Sequence, residues 1–337
     1  MVIGINAVAA STKPRTGVEE YTHQLIKHLA MLKEAQKHRF ILYNRENLKW
    51  SLPMWTQMRL SAEMAFNKPD VLFIPVHVLP LIHPKNSVVT IHGLEYEYYP
   101  KMYPRKNLNY LRWSTKYALK NANKIIAISE NTKKDLVELY NGDPEKIKVV
   151  HHGVNTRNQT FNKTLHKDPY ILYIGRLETK KNIQGIIRSF ELLKKRYQVP
   201  HKLILAGLKG YGYGKLNFSE DIVLKNYVSE KEKWQLLGNA DMFVFPTFYE
   251  GFGMPILEAQ ISGCPIITSN VSSMPEVAGQ GAILVEPRNV EEICDRMYQV
   301  IQDQEFRKRL INEGYENVKK FSWKKCAEET FKVLIDS

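Results

Sequence analysis

Cysteine is scarce in this chain, with three in 337 residues: Cys264, Cys294 and Cys326. They show no metal-ligand spacing and leave an odd thiol, which excludes a disulfide framework or a zinc site and fits a reducing cytoplasm. Long hydrophobic runs are also missing. The longest charge-free apolar stretch of the first half, 71–84, is broken by Pro75, Pro80 and Pro84 and cannot be a membrane span. The opening residues Met1-Val-Ile-Gly-Ile-Asn6 carry no basic leader, so no secretory signal is expected from them. Walker A, H-E-x-x-H and zinc-deaminase patterns do not occur, and no D-x-D pair suggests a metal. The glycine-rich stretch 207–214 lacks both the G-x-G-x-x-G spacing and a suitably placed acid, which excludes a nicotinamide site. No metal and no nucleic-acid partner are expected.

What is present is a globular composition, 44% apolar and 25% charged, in a chain long enough for two domains. The net charge of +13 is uneven: residues 1–160 carry a balance of +10 and residues 161–337 only +3. A basic first half suits a polyanionic partner such as a membrane surface or a phosphorylated acceptor, and equally an unselective solubility charge.

Short β-rich runs alternate with amphipathic helical stretches in both halves, the pattern of two parallel α/β sheets. In the first half strands are predicted at Val2–Asn6, Phe40–Tyr43, Asp70–Pro75, Val88–Ile91, Lys124–Ile128 and Lys148–His151, with helices near 18–33, 105–121 and 132–140. The second half restarts with strands at Tyr170–Ile174, Lys202–Ala206, Asp221–Leu224, Met242–Pro246, Pro265–Thr268 and Ala282–Val285, and helices near 183–196, 229–239, 255–262, 290–303 and 305–320. A polar segment closed by a proline, Asn155 to Pro169, reads as a linker. The expected division is 1–160 and 161–321, with a C-terminal helix over 322–337 that can pack back on the first domain. Ligands of such folds bind beyond the carboxyl ends of the strands, so the site is expected in a cleft between the two sheets.

The sharpest segment is Glu250-Gly-Phe-Gly-Met-Pro-Ile-Leu-Glu258, between an apolar strand and a helix. Gly251 and Gly253 leave the backbone bare before that helix, where N–H groups can meet hydroxyls or phosphate, and Pro255 suits the first helical position. Glu250 lies on the loop and Glu258 about one turn into the helix. Upstream, Gly175-Arg176-Leu177-Glu178-Thr179-Lys180-Lys181-Asn182 follows a strand, and its guanidinium and ammonium suit a diphosphate. Strand Val88–Ile91 ends at His92-Gly93. Thr16-Gly17-Val18-Glu19 reads as a capping box opening a helix with an apolar stripe at Val18, Tyr21, Leu25 and Leu29.

These segments resemble glycosyltransferase family 4, a retaining family of the GT-B fold, and in particular its bacterial polysaccharide mannosyltransferases. The first string is similar to its E-x7-E motif, the second to "G-R-L-x-x-x-K-G", with Asn182 in place of the glycine, and the His92 segment to "T-x-H-D", with Gly93 in place of the aspartate. Fainter similarity runs through Ser129-Glu130, His152-Gly-Val-Asn155, Ala240–Pro246 and Ser273-Met-Pro-Glu276. The resemblance implies two Rossmann-like, doubly wound parallel-sheet domains facing a cleft. It implies that Arg176 and Lys181 neutralise the leaving diphosphate, that Glu250 and the backbone of Gly251, Phe252, Gly253 and Met254 orient the donor sugar, and that Glu258 holds the ribose. His92 would touch the sugar from the first domain, Gly17 would offer its amide to the diphosphate, and the backbone around Val228 would read the base.

The co-substrate implied is a nucleoside-diphosphate sugar, GDP-mannose before UDP-sugars, used without a metal, and the acceptor a glycan or lipid-linked glycan. Alternatives are a GT-B epimerase or phosphorylase, and a catalytically silent sugar-nucleotide or polyanion-binding protein. The basic, aromatic segment 104–120, with Leu108, Leu111, Trp113 and Tyr117, is either an ordinary amphipathic helix on the first sheet or a face that rests on phospholipid at the inner side of the cell membrane.

Overall fold

A computed structural model describes residues 1–12, 15, 17–49, 54–155, 169–212 and 219–337. The chain forms two compact units, Met1–Gly153 with Phe321–Ser337, and Val154–Lys320. The expected division at 160 and most of the 155–169 linker lie outside the described residues, as do Thr16 of the capping box and the end of the 207–214 stretch.

In the first unit six parallel strands, β1 (Val2–Asn6), β2 (Arg39–Tyr43), β3 (Val71–Ile74), β4 (Ser87–Ile91), β5 (Lys124–Ala127) and β6 (Ile147–Val149), take the order β2-β1-β3-β4-β5-β6. Every residue of β3 and β4 is buried, as expected of strands covered on both faces by crossover helices. Those helices are α1 (Gly17–Leu29), α2 (Ser61–Phe66), α3 (Glu95–Tyr98), α4 (Arg105–Asn121) and α5 (Glu130–Tyr140). The stripe on α1 packs as its spacing predicts, with Tyr21, Leu25 and Leu29 buried. Residues 55–66, for which no element is predicted, are helical. A π turn over Thr56–Leu60 leads into α2, so the buried apolar residues Trp55, Leu60 and Met64 fall five and then four apart, a spacing that hides the helical period.

The second unit repeats the architecture. Strands β7 (Tyr170–Ile174), β8 (Lys202–Ala206), β9 (Ile222–Lys225), β10 (Met242–Phe245), β11 (Ile266–Ser269) and β12 (Ile283–Val285) are parallel in the order β12-β11-β10-β7-β8-β9. They alternate with α6 (Ile183–Tyr197), α7 (Glu230–Asn239), α8 (Met254–Ile261), α9 (Met274–Ala278), α10 (Val290–Gln302) and α11 (Gln304–Val318). The five-residue α9 is too short to show a period and is not predicted. Ser229, Asn289 and Asp303 cap α7, α10 and α11, their side-chain oxygens accepting the amides of Glu232, Glu292 and Phe306. Strand order reverses between β7 and β10, the switch point where open α/β sheets leave a crevice at their carboxyl ends.

The last helix, α12 (Trp323–Ile335), belongs to the first unit and packs on α1. Trp323 is buried with its ring 6.3 Å from Tyr21 and 6.0 Å from His152. Gly153 makes the contact possible, since a Cβ there would stand 2.0 Å from the Trp323 amide nitrogen, part of a backbone that cannot swing aside. Gly153→Ala is therefore expected to destabilise the first unit by about 2–4 kcal/mol, in the range of severe overpacking. Denaturant titration checks this: an unchanged midpoint would contradict the close contact.

Candidate active site

The β7 exit carries the basic segment. Gly175 and Arg176 leave the strand, and the Arg176 carbonyl accepts the Tyr173 hydroxyl at 2.9 Å. A short 3-10 turn over Thr179–Lys181 then ends at Asn182, whose φ of 58° puts it in the left-handed region. Glycine and asparagine are the residues that enter this region most readily, which accounts for asparagine here. Asn182 also adds what glycine cannot: its Nδ2 donates to the Pro246 carbonyl at 3.1 Å and the Pro287 carbonyl at 2.6 Å. It thereby ties the β7 exit to the loops after β10 and β12.

The loop after β10 is fixed from both sides. Thr247, fully buried, donates its hydroxyl to the Lys180 carbonyl at 2.9 Å, and the Phe248 amide donates to the same oxygen at 2.9 Å. From the β11 exit, Ser272 donates to the Glu250 carbonyl at 2.6 Å, while Ser273 donates to that oxygen at 2.9 Å and to the Phe252 carbonyl at 2.8 Å. Gly253 has a φ of 106°, which glycine accommodates, and α8 begins at Met254. Pro255 is thus the second helical residue rather than the first. It still falls where helix amides have no intrahelical partner.

These loops bring Lys181 and Glu250 together at the switch point. The Lys181 ammonium forms an ion pair with Glu250 Oε1, and each side chain is only 14% exposed. The Lys181 Nζ also lies 5.1 Å from the centre of the Phe245 ring, a cation–π distance. Arg176 is different: its guanidinium is 64% exposed, with Nη1 3.5 Å from Glu178 Oε1. Glu258, on α8, is held by a second lysine, Lys233 of α7, at 2.6 Å. Burial works against the Lys233 ammonium, yet Glu258 and Glu230 outweigh it and raise its pKa above the ordinary lysine value. Val228 sits half-buried on the loop between β9 and α7. Two carboxylates, two partly buried ammonium groups, an exposed guanidinium and a glycine-started helix therefore belong to one end of the second sheet. Such a set can neutralise a diphosphate and orient a polyhydroxylated group.

Ser272, Ser273, Thr247 and Lys233 are not among the sequence-predicted site residues. Ser273 lies in a segment that resembles the family, but a serine that ties loops through backbone carbonyls has no sequence signature of its own. Lys233 reads in sequence as a surface i,i+3 partner of Glu230, which it also is, at 2.9 Å.

In the first unit Gly17 is the first residue of α1, with nothing within 4 Å of where its Cβ would stand. His92 leaves β4 at the carboxyl end. Its imidazole is partly buried in a ring cluster with Tyr21 at 4.8 Å, His77 at 5.7 Å and His152 at 5.7 Å. Its Nε2 lies 2.7 Å from the Pro75 carbonyl and its amide donates to His77 Nε2 at 2.8 Å. Gly93, where the family motif has an aspartate, has a φ of 121°. Burial, then the neighbouring His77, lower the His92 pKa to about 3, against the smaller pull of the Pro75 carbonyl and then of Glu95 and Glu19. Burial brings His77 to about 4 and, with His92 and His151, holds His152 well below 6.5. His92 is therefore neutral at physiological pH; its one N–H, on Nε2, is given to the Pro75 carbonyl, which leaves Nδ1 as an uncharged acceptor.

The two doubly wound units have the GT-B architecture of glycosyltransferases. The model of the family described as Glycosyltransferase Family 4 matches residues 15–158, and that of Glycosyl transferases group 1 matches residues 155–317. Together the two models span residues 15–317, so the chain carries both glycosyltransferase domains. It is 26% identical to O-antigen chain mannosyltransferase B of Escherichia coli, over 94% of this chain and 95% of that one. It is 28% identical to O-antigen chain mannosyltransferase RfbU of Salmonella typhimurium over 72% and 70%. Among solved structures it superposes on WaaG, a glycosyltransferase involved in lipopolysaccharide biosynthesis, with a TM-score of 0.73 at 12% identity and 99% coverage of both chains. Anabaena HepE in complex with UDP-glucose gives 0.73 at 14% identity, over 100% and 99%. At such identities the superpositions speak to the fold.

The histidine cluster sets a pH dependence. With folded-state pKa values lowered, the unfolded chain takes up protons below about pH 6.5 that the folded unit refuses, so stability is full above that value and falls as the pH drops towards 4. Melting curves should show a lower midpoint at pH 5 than at pH 7, and His77→Gln should shrink the difference. A pH-independent midpoint would contradict the buried, neutral imidazoles.

Proposed function

We propose that the second unit binds a nucleoside-diphosphate sugar at the β7/β10 switch point and that the enzyme transfers its hexosyl unit, with retention at the anomeric carbon, to a glycan or lipid-linked glycan. The observation that carries this reading is the meeting of Lys181 and Glu250 there, beside the glycine-started helix α8. Lys181 and Arg176, rather than a metal, neutralise the charge that grows on the departing diphosphate. Glu250 and the 251–254 backbone orient the sugar, Glu258 accepts the ribose hydroxyls, and the backbone at Val228 faces the base. The acceptor hydroxyl loses its proton to a donor phosphate oxygen as the new bond forms on the face that the diphosphate leaves.

GDP-mannose is the first donor to test, because two of the relatives above are named as mannosyltransferases, and UDP-glucose the second, because HepE was solved with it. Incubation of the protein with each donor and a lipid-linked glycan should yield a new glycoside with the donor's anomeric configuration, read by NMR. Lys181→Ala and Glu250→Ala should each lower transfer by at least about a hundredfold while retaining the far-UV circular dichroism of the wild type. Wild-type rates in both variants would overturn the site. Epimerised sugar or sugar phosphate as the sole product would favour the other GT-B chemistries, and donor binding without turnover a silent binding protein.

A lipid-linked acceptor also accounts for the outer face of α4. Its inner face packs as the amphipathic reading expects, with Leu108, Thr115 and Ala118 buried. At its edge Trp113, 41% exposed, stacks on half-buried Tyr110 and Tyr117 at 5.7 and 5.2 Å, and the Tyr117 hydroxyl donates to the Leu81 carbonyl beside exposed Leu81 and Ile82. Arg105, Lys106, Lys116 and Lys120 on the same helix are exposed. Aromatic rings with flanking cations suit an anionic phospholipid interface. No helix among the described residues is long and apolar enough to cross a membrane. The protein is expected to co-sediment with vesicles containing phosphatidylglycerol more than with pure phosphatidylcholine, and Trp113→Ser to reduce that binding severalfold. Equal recovery from both vesicle types would remove the membrane contact.

A further inference from the structure

We infer that Lys233 is a positioning residue for the nucleotide ribose: its ammonium fixes the Glu258 carboxylate in the orientation that accepts the ribose hydroxyls. This rests on the donor-site reading above and adds to it a residue that lies outside both the E-x7-E and the basic segment. Three observations carry it. Lys233 Nζ is 2.6 Å from Glu258 Oε1, and the two side chains are 15% and 16% exposed, so the contact is not one of the many solvent-screened pairs on helix surfaces.

The ammonium is itself held in place. Glu230 Oε1 on the preceding turn lies 2.9 Å away, and the Nζ is 5.2 Å from the centre of the Trp234 ring, which is buried. Both acids raise the lysine pKa, which keeps the charge on Lys233 throughout the neutral range.

Finally, the contact joins two elements with separate tasks. Helix α7 follows directly on the loop that contains Val228, with Ser229 as its cap, and α8 carries Glu258. Lys233 thus sets the distance between the base-reading loop and the ribose-binding carboxylate. A carboxylate accepting from an ammonium on one oxygen has a fixed plane, and a fixed plane lets it meet a 2′,3′-diol without first losing rotamer freedom. Without Lys233 the same partly buried carboxylate would lose the ammonium that meets its Oε1 at 2.6 Å, and with it that hold on its orientation.

The test is titration calorimetry with GDP and UDP and with their 2′,3′-dideoxy counterparts, on wild type, Lys233→Met, Lys233→Arg, Glu258→Gln and the double variant Lys233→Met with Glu258→Gln. Wild type should prefer the ribonucleotide by about tenfold or more, the value of hydrogen bonds to a charged acceptor. Lys233→Met should lose most of that preference, as Glu258→Gln does, and the double variant should lose no more than either single one. Lys233→Arg, which keeps the cation, should recover it. A general loosening of the fold would instead weaken ribo- and dideoxynucleotide alike and leave their ratio intact, an outcome that overturns the inference. So does Lys233→Met with wild-type preference while Glu258→Gln has lost it. Wild-type protein that binds neither nucleotide would overturn the donor-site reading, and this inference with it.

Discussion

An ammonium and a carboxylate, each mostly shielded from water, meet where the strand order of the second sheet reverses, and the surrounding loops are arranged so that Lys181 and Glu250 cannot avoid one another. Placing two charges in such a site is costly unless geometry and hydrogen bonds compensate. The compensation is visible. Thr247 and Asn182 bind the β10 exit to the β7 exit, and Ser272 and Ser273 hold the Glu250 backbone from the β11 exit. The Phe245 ring receives the flank of the cation. Four strand ends, those of β7, β10, β11 and β12, are thereby fixed to one another by a handful of polar side chains.

The same arrangement recurs one turn further along. Each carboxylate of Glu250-x7-Glu258 has its own lysine, Lys181 from the β7 exit and Lys233 from α7. The two pairs differ in what a ligand would ask of them. In the proposed donor site a diphosphate would compete with Glu250 for the Lys181 ammonium and so free Glu250 for sugar hydroxyls. Ribose hydroxyls are donors rather than anions, and would leave the Lys233–Glu258 pair intact. On the proposed reading one pair would switch between two anions and the other would support the carboxylate.

Much of this was legible in the sequence. Alternating period-2 and period-3.6 patterns gave all twelve strands of the two sheets, with ends shifted by one or two residues where apolar runs extend past the ladder, as at Lys148–His151 against Ile147–Val149. The strand–glycine–helix context around Glu250 was legible too, with β10 before the loop and α8 starting at Met254 after it. Three things were not legible. The π turn at Thr56–Leu60 breaks the helical period, so residues 55–66 carry no signal. Gly153 looks like a loop glycine until the α12 backbone is seen against it, a contact about 170 residues away in the chain. Lys233 looks like half of an exposed helix pair. Asn182 was legible as a departure from the motif, but its left-handed backbone and its two carbonyl bonds, which make the departure workable, exist only in the fold.

The central claim is that Lys181 is poised for a diphosphate. Calorimetric comparison of a nucleoside diphosphate with its monophosphate at fixed ionic strength tests it most directly, on wild type and Lys181→Met. The account predicts that wild type prefers the diphosphate by about tenfold or more and that Lys181→Met loses most of that preference. Equal preference in both proteins would contradict it.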